Sequence, residues 1–280
     1  MGDEHLSEGL KEQVLAKLGF NQPPPVTLAG LNALYQAWCF NIPFENVTKM
    51  IGLRLKENPL PGDSAEKYFT NWLAHGTGGT CWPGSNALFT IINACGFNAQ
   101  RVAASMLDLG ERTHGTVRVE IDGKNWLADA SILSNQVLPL DSGGRYVHPH
   151  AEINIEVEPV EDGFRIWFES AIRPEPMPCR LMDDSDLAFF QLAYEESRTR
   201  SPFNNSVYVL RHQPGKTHIQ IGLLQFIKSD GVVEKKELSA DEIVKSLVSD
   251  MNISQEMVDK WVELGGLEST LTSPTATPVT

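Results

Sequence analysis

Between His114 and Ser131 apolar and polar residues alternate about a single Asp122-Gly123 dipeptide. That dipeptide closes a two-residue hairpin turn, because both central positions tolerate positive φ. With the turn there, Ile121 faces Lys124 and the remaining pairs follow: Thr116 faces Asp129, and His114 faces Ser131. Val117, Val119, Ile121, Trp126, Ala128 and Ala130 then share one apolar face. A slip of one residue would turn every side chain to the wrong side. His114 and Asp129 become diagonal neighbours on the opposite face, within side-chain reach. A three-residue loop would separate them. The register thus decides both where the core lies and whether an imidazole meets a carboxylate.

The rest of the chain divides by texture. Leu10, Val14, Leu15 and Leu18 form a helical stripe ended by Gly19. Pro23 to Pro25 make a stiff connector. Further helices are expected over about 28–40 and, capped by Ser64, to about 74. IPFENV between them starts with a proline turn. From Phe97 alternation and tight turns predict strands over 101–105, 115–121, 126–132, 153–157 and 164–168. Pro174, Pro176 and Pro178 predict a loop, after which a helix returns over 185–197. Strands follow near 207–210, 218–227 and 232–238. Ser239 to Glu242 has the capping-box form and predicts a helix over 240–249. A short helix over 255–264 comes last. The expected blocks are helical over 1–96, β over 97–184 and mixed over 185–270, with a disordered tail over 271–280.

One segment, GTGGTCWPGSNALFTIINACGF, carries chemistry. Gly76, Gly78 and Gly79 lead into Cys81. Trp82-Pro83-Gly84-Ser85 then opens an amphipathic helix with Leu88, Ile91, Ile92 and Cys95 on its stripe, and Gly96 ends it. Pro83 suits a first helical turn. Cys81 therefore sits at or just before a helix N-terminus, whose partial positive charge favours a thiolate. A nucleophilic thiol needs a base, and the base an orienting acid; His114 and Asp129 fill both roles. Taken singly, a thiol at a helix start is commonly inert and a strand histidine commonly structural. Their convergence carries the chemistry. Cys39, Cys95 and Cys179 lack such settings. His148-Pro149-His150 is too closely spaced for a metal site, so no metal is expected and a polar loop is. GTGG lacks the Gly-Lys-Ser/Thr sequel of a phosphate loop.

Composition narrows the partners. Asp and Glu number 36 against 23 Lys and Arg, a net charge of −13. So acidic a body repels nucleic acid and anionic membranes, and neither is expected as a partner. No apolar run nears a membrane span. MGDEHLSEGL lacks the apolar core of a signal peptide, and Leu6 stands where a myristoylation signal favours Ser or Thr. Four cysteines without CxxC spacing predict reduced thiols and a cytoplasmic location. The acidity is uneven. Residues 197–229 hold no Asp or Glu but include Arg198, Arg200, Arg211, Lys216 and Lys228, a candidate dock for phosphates.

On these residues the chain resembles the arylamine N-acetyltransferases. The cues are Ile42-Pro43-Phe44-Glu45-Asn46, Gly78-Gly79-Thr80-Cys81, His114, WLADAS with Asp129 at the third triad position, and SPFNNSVYVLR over 201–211. The likeness covers nearly the whole chain. It implies an α+β fold: an N-terminal helical domain, a central antiparallel β-barrel and a C-terminal α/β lid around a cysteine-proteinase-like core. It also implies no tightly bound cofactor and a ping-pong reaction. An acyl thioester, acetyl-CoA or another acyl-CoA or carrier-protein thioester, acylates Cys81, and a small-molecule amine takes the acyl group. Phe44 and Trp82 become candidates for the substrate pocket, with a core role the alternative for each. Thr113 and Phe203 become candidates for donor contact.

The departures are specific. Thr77 stands where the family has an Arg that partners Glu45. Pro83 and Ser85 replace polar residues, and Ala130-Ser131-Ile132-Leu133 replaces the Val-Gly-Phe-Gly that helps shape the acceptor pocket. They point to a divergent member, an amide-forming acyltransferase of secondary metabolism. The Cys/His/Asp order is also similar to transglutaminases and cysteine peptidases, so amide hydrolysis or exchange is one alternative. A non-catalytic ligand-binding relative is the other.

Overall fold

Side-chain caps set the first helices where the apolar spacing predicts them. In the computed structural model, which describes residues 4–148, 154–170 and 173–273, these are α1 (Glu8–Lys17), α2 (Leu28–Asn41), α3 (Val47–Leu55), α4 (Ala65–His75) and α5 (Cys81–Ala94). Ser7, Thr27 and Ser64 each accept a first-turn N–H, at the heads of α1, α2 and α4. The proline turn that starts IPFENV is a bend at Ile42, and it leads into two elements not expected there, the two-residue strand β1 (Phe44–Glu45) and α3. The Asn46 side chain makes no cap bond; Glu45 takes the Thr48 N–H in its place, at 3.1 Å. The β-branched start Val47-Thr48 and the missing cap hid this helix from propensity.

The central sheet comprises β2 (Asn98–Met106), β3 (His114–Ile121), β4 (Lys124–Ala128), β5 (Leu138–Pro139), β6 (Tyr146–His148), β7 (Ile155–Val160), β8 (Gly163–Ser170) and β9 (Arg173–Ser185). Its order, β5-β4-β3-β2-β9-β8-β7-β6, is antiparallel throughout, and it curls into a nearly closed barrel. Val102, Leu127, Ile155, Val157 and Ile166 share one core cluster drawn from both ends of that order. The β3–β4 register runs as the hairpin turn predicts, from Val117 opposite Ala128 to Ile121 opposite Lys124. Asp122 and Gly123 sit at φ +52° and +72°.

Two strand expectations change. The strand expected over 126–132 ends at Ala128, because Asp129 folds its carboxylate back onto the Ser131 and Ile132 N–H groups, both at 2.8 Å. Pro174, Pro176 and Pro178 lie inside β9 rather than in a loop. That stretch pairs with β8, and the β2 ladder starts only at Cys179. A proline forfeits a donor, so it fits where one flank of a strand is not paired.

The chain continues through α6 (Leu187–Arg200), a 3-10 turn at Pro202–Asn204, and the strands β10 (Tyr208–Gln213), β11 (Lys216–Ile221), β12 (Leu224–Ser229) and β13 (Val232–Glu237). The single strand expected over 218–227 is a hairpin. Gly222, at φ +55°, turns the chain, and its N–H reaches Val207 O at 2.8 Å. Helices α7 (Ala240–Ser249), with its full Ser239/Glu242 capping box, and α8 (Gln255–Glu263) follow. The expected tail starts as a helix, α9 (Gly266–Thr272), pinned where Thr270 Oγ1 accepts the Val207 N–H at 3.1 Å. His150, Ile153 and the tail from 274 lie outside the described residues. Among the described residues no helix is long and apolar enough to cross a membrane.

The second sheet has the order β1-β10-β11-β12-β13. Its first strand comes from IPFEN, with Phe44 opposite Leu210 and Glu45 opposite Val209. Residues some 165 positions apart in the chain are therefore hydrogen-bonded neighbours.

Candidate active site

Cys81 is the first residue of α5, and its N-cap Thr80 makes no side-chain cap bond. First-turn N–H groups of a helix have no intrahelical acceptor, so the thiol stands among open donors. The loop leading to it is braced by IPFEN. Phe44 bridges Gly79, the Glu45 N–H donates to Gly79 O at 3.2 Å, and Gly78 approaches Pro43 so closely that a Cβ would lie 1.8 Å from its carbonyl oxygen. Asn46 ties in the third motif. Its Nδ2 donates to Phe203 O (2.9 Å) and Ser206 O (2.7 Å), and its Oδ1 accepts the Tyr208 N–H (2.7 Å). Three motifs far apart in sequence thus knit one scaffold behind Cys81.

His114 opens β3 beside this helix. Ser85, four residues after Cys81, donates its hydroxyl to Gly115 O at 2.6 Å and pins helix to strand. Gly115 has no room for a side chain: a Cβ would meet the Trp82 ring at 2.7 Å and the Phe190 ring at 2.9 Å. His114 Nε2 and Asp129 Oδ2 are 2.7 Å apart, and both residues are buried. Burial favours a neutral Asp129, but the His114 charge, its hydrogen bond and the two backbone N–H groups outweigh that and hold the carboxyl below its ordinary range. Burial likewise opposes a charged His114. The Asp129 charge, the neighbouring Cys179 and hydrogen bonds with Asp129 and Cys81 reverse the sign and raise it well above 6.5. An ionised carboxylate only accepts, so Nε2 is the donor, which leaves Nδ1 for the thiol.

Tyr35 on α2 fixes the Asp129 turn and carries no sequence signal, since it lies on an ordinary apolar stripe. Its hydroxyl donates to Asp129 O (2.8 Å) and accepts the N–H groups of Asp129 (3.2 Å) and Ser134 (3.1 Å). The other three thiols are buried. Burial pushes Cys39 and Cys179 up to about 12 and Cys95 up to about 11. Only Cys81 among the four is not buried.

Cys81 opens onto a cavity of about 280 Å³ whose walls include Trp82, Thr113, Phe203 and Lys49. Trp82 also packs edge-on against Phe190, ring centroids 5.1 Å apart. Phe44 does not line this cavity; it is buried edge-on behind Phe203 and Tyr208, at 5.3 and 5.5 Å. Ala130, Ile132 and Leu133 turn into the core instead of the wall. Of the five basic residues in 197–229, only Arg200 lines the cavity. Arg198 binds Glu195 and Glu57 O, Arg211 binds Asp250 O, and Lys228 pairs with Glu169. The island is dispersed by folding.

Glu45, without an arginine, is satisfied locally. Its carboxylate accepts Thr48 Oγ1 (2.8 Å) and the Thr48 N–H (3.1 Å) at the head of α3. Burial still raises it, since these bonds and the Val47 and Gly78 N–H groups offset only part of the cost. His148 is not in a polar loop: it is buried on β6 and donates from Nε2 to Ser134 O at 2.9 Å. Among the described residues no three or more His, Cys, Asp or Glu are grouped to hold a metal.

A family model described as N-acetyltransferase matches residues 27–260. The fold is similar to a variant arylamine N-acetyltransferase of Mycobacterium smegmatis, with TM-score 0.80, 17% identity, and 93% of this chain and 98% of that one covered. It is similar to the Mycobacterium marinum arylamine N-acetyltransferase in complex with CoA, with TM-score 0.77, 19% identity and coverages of 92% and 96%. A third is the Bacillus cereus arylamine N-acetyltransferase described as having a unique Cys-His-Glu catalytic triad, with TM-score 0.73, 14% identity and coverages of 89% and 100%. Comparison with curated proteins gives no match.

Proposed function

The chain belongs to the N-acetyltransferase family whose model spans residues 27–260, and from that premise we propose that it moves an acyl group from a CoA thioester through Cys81 to an amine. The observation that carries this reading is the buried 2.7 Å His114–Asp129 pair set against a thiol at a helix head on an open cavity. Its fold neighbours include an arylamine N-acetyltransferase in complex with CoA, which supports CoA as the donor's carrier.

In the first half-reaction His114 takes the Cys81 proton and Sγ attacks the thioester carbonyl. The tetrahedral oxyanion is held by first-turn N–H groups of α5, from Cys81 or Trp82 because Pro83 has none. Collapse breaks the carbon–sulfur bond to CoA, whose thiolate takes the proton from His114. In the second half-reaction the amine attacks the acyl-cysteine, His114 accepts its proton, and the Cys81 thiolate leaves with the amide formed. Asp129 holds the imidazole tautomer and supports its charge throughout. Trp82, Thr113 and Phe203 flank the reacting acyl group.

Incubation with acetyl-CoA alone is expected to add one acetyl group to Cys81, read by mass spectrometry. Cys81→Ala is expected to lose both adduct and turnover. Undiminished acetyl transfer by that variant would overturn the proposal.

A further inference from the structure

Helix α3 delivers to the cleft a charged group that this acyl transfer does not use. Lys49 is 2% exposed, yet it lines the same cavity as Cys81. Its Nζ donates to Ser197 Oγ at 2.7 Å and to Ser197 O at 3.3 Å. Ser197 Oγ donates onward to Tyr194 O at 2.6 Å, so its lone pairs are turned to the lysine. The Tyr194 ring lies 5.8 Å from Nζ. Burial lowers Lys49 to about 8, with Cys81 the foremost group favouring its charge.

A buried cation is retained at a cost unless an anion meets it. None of the ion pairs among the described residues involves Lys49. Glu195, on the facing helix α6, is taken by Arg198 at 2.5 Å and by the Leu60 N–H at 2.6 Å. Nor does α6 need the lysine as a cap: Asn204 Nδ2 already reaches Ser197 O (3.0 Å) and Arg198 O (2.8 Å). Of the other charged groups on the wall, Arg112 is committed to Asp183, while Glu111, Glu196 and Arg200 stand on the β2–β3 loop and on α6.

We propose, on the acyl-transfer reading above, that Lys49 binds a carboxylate carried by the substrate itself, at the end of the acyl group or of the amine acceptor remote from the reacting atom. The position excludes the CoA phosphates, because the long pantetheine arm separates them from the thioester at Cys81. A carboxylate reaching Nζ replaces the water that a buried ammonium lacks and makes a charge-assisted hydrogen bond.

Paired substrates read this directly. One arm compares para-aminobenzoate with para-aminobenzamide at fixed acetyl-CoA. The other compares malonyl-CoA with propionyl-CoA at a fixed neutral amine. Lys49→Met is expected to lower the ratio of kcat/KM, carboxylate over neutral member, at least about tenfold in one arm and mainly through KM. Lys49→Arg is expected to restore most of it, and the arm that moves identifies which substrate bears the carboxylate. Ratios unchanged in both arms overturn the proposal, whether or not overall activity falls. The wild-type protein gives a check independent of the variants' folding. Benzoate or malonate should slow iodoacetamide alkylation of Cys81 more than benzamide or malonamide does, and equal protection by acid and amide also overturns it. Absence of acyl transfer from every pair would refute the functional reading instead, and leave the alkylation comparison to decide on Lys49.

Discussion

Asp129 and Glu45 are buried to the same depth, at 1% and 0% exposure, and their ionisation is pushed in opposite directions. Asp129 meets an imidazole and two backbone N–H groups and is held below its ordinary range. Glu45 meets only neutral donors, and burial wins. Depth sets the desolvation cost, but the presence of a cationic partner sets its outcome. The acid paired with His114 is held charged, whereas Glu45, which meets no arginine, braces the head of α3 and the Gly78 loop.

The sharpest break of this comparison is Asp129→Asn. Losing the carboxylate removes both the tautomer lock and the charge support, so kcat/KM for acetyl transfer should fall on the order of 10³–10⁴-fold. Steady-state kinetics with acetyl-CoA check this, and a loss below about tenfold would put Asp129 outside the reaction.

Tyr35→Phe should cost about 1–3 kcal/mol in urea unfolding, since it strands the Asp129 and Ser134 N–H groups in the core. Its kcat should fall while KM holds, because the turn that aims Asp129 is loosened rather than the cavity wall.

The two acids should also give opposite slopes of stability with pH. The folded-state value of Asp129 lies below 3.8, so its contribution is present above that and lost as pH falls through the lowered value. His114 adds stability below 6.5 that is lost as pH rises through its raised value. Glu45 is raised above 4.5, so its contribution is present below that and lost as pH rises through the raised value. Unfolding of the wild type, Asp129→Asn and Glu45→Gln across the acid range should show the Asp129→Asn deficit shrinking as pH falls. The stability of Glu45→Gln relative to the wild type should improve as pH rises. Parallel curves would erase the distinction between the two sites.

The smallest effect is Glu45→Gln at low pH, where both side chains are neutral; the stability difference there should stay within about 1.5 kcal/mol.

How much of this was legible varies element by element. The β3–β4 register was, because Asp122-Gly123 is a local signal and a slip would expose an entire apolar face. The caps of α4 and α7 were legible for the same reason of locality. The strand at IPFEN was not, since its partner lies beyond residue 207 and nothing local announces it. Pro174 to Pro178 misled because proline's meaning depends on whether a neighbouring strand asks for its N–H. At the candidate site, the place of Cys81 at a helix start and the meeting of His114 with Asp129 were readable, whereas Tyr35 and Lys49 look like ordinary helix residues until α2 and α3 are docked.

The sequence alone determined the pieces whose causes span a few residues: the thiol at the head of α5, the hairpin that brings His114 to Asp129, and the acidic surface. Tertiary structure decided the rest. It let IPFEN, GTGGT and SPFNN brace one another, dispersed the basic stretch 197–229, and sank Lys49 and Glu45 out of water. The reason is physical: turn and cap chemistry acts through neighbouring atoms, while burial and charge pairing depend on which distant surfaces meet.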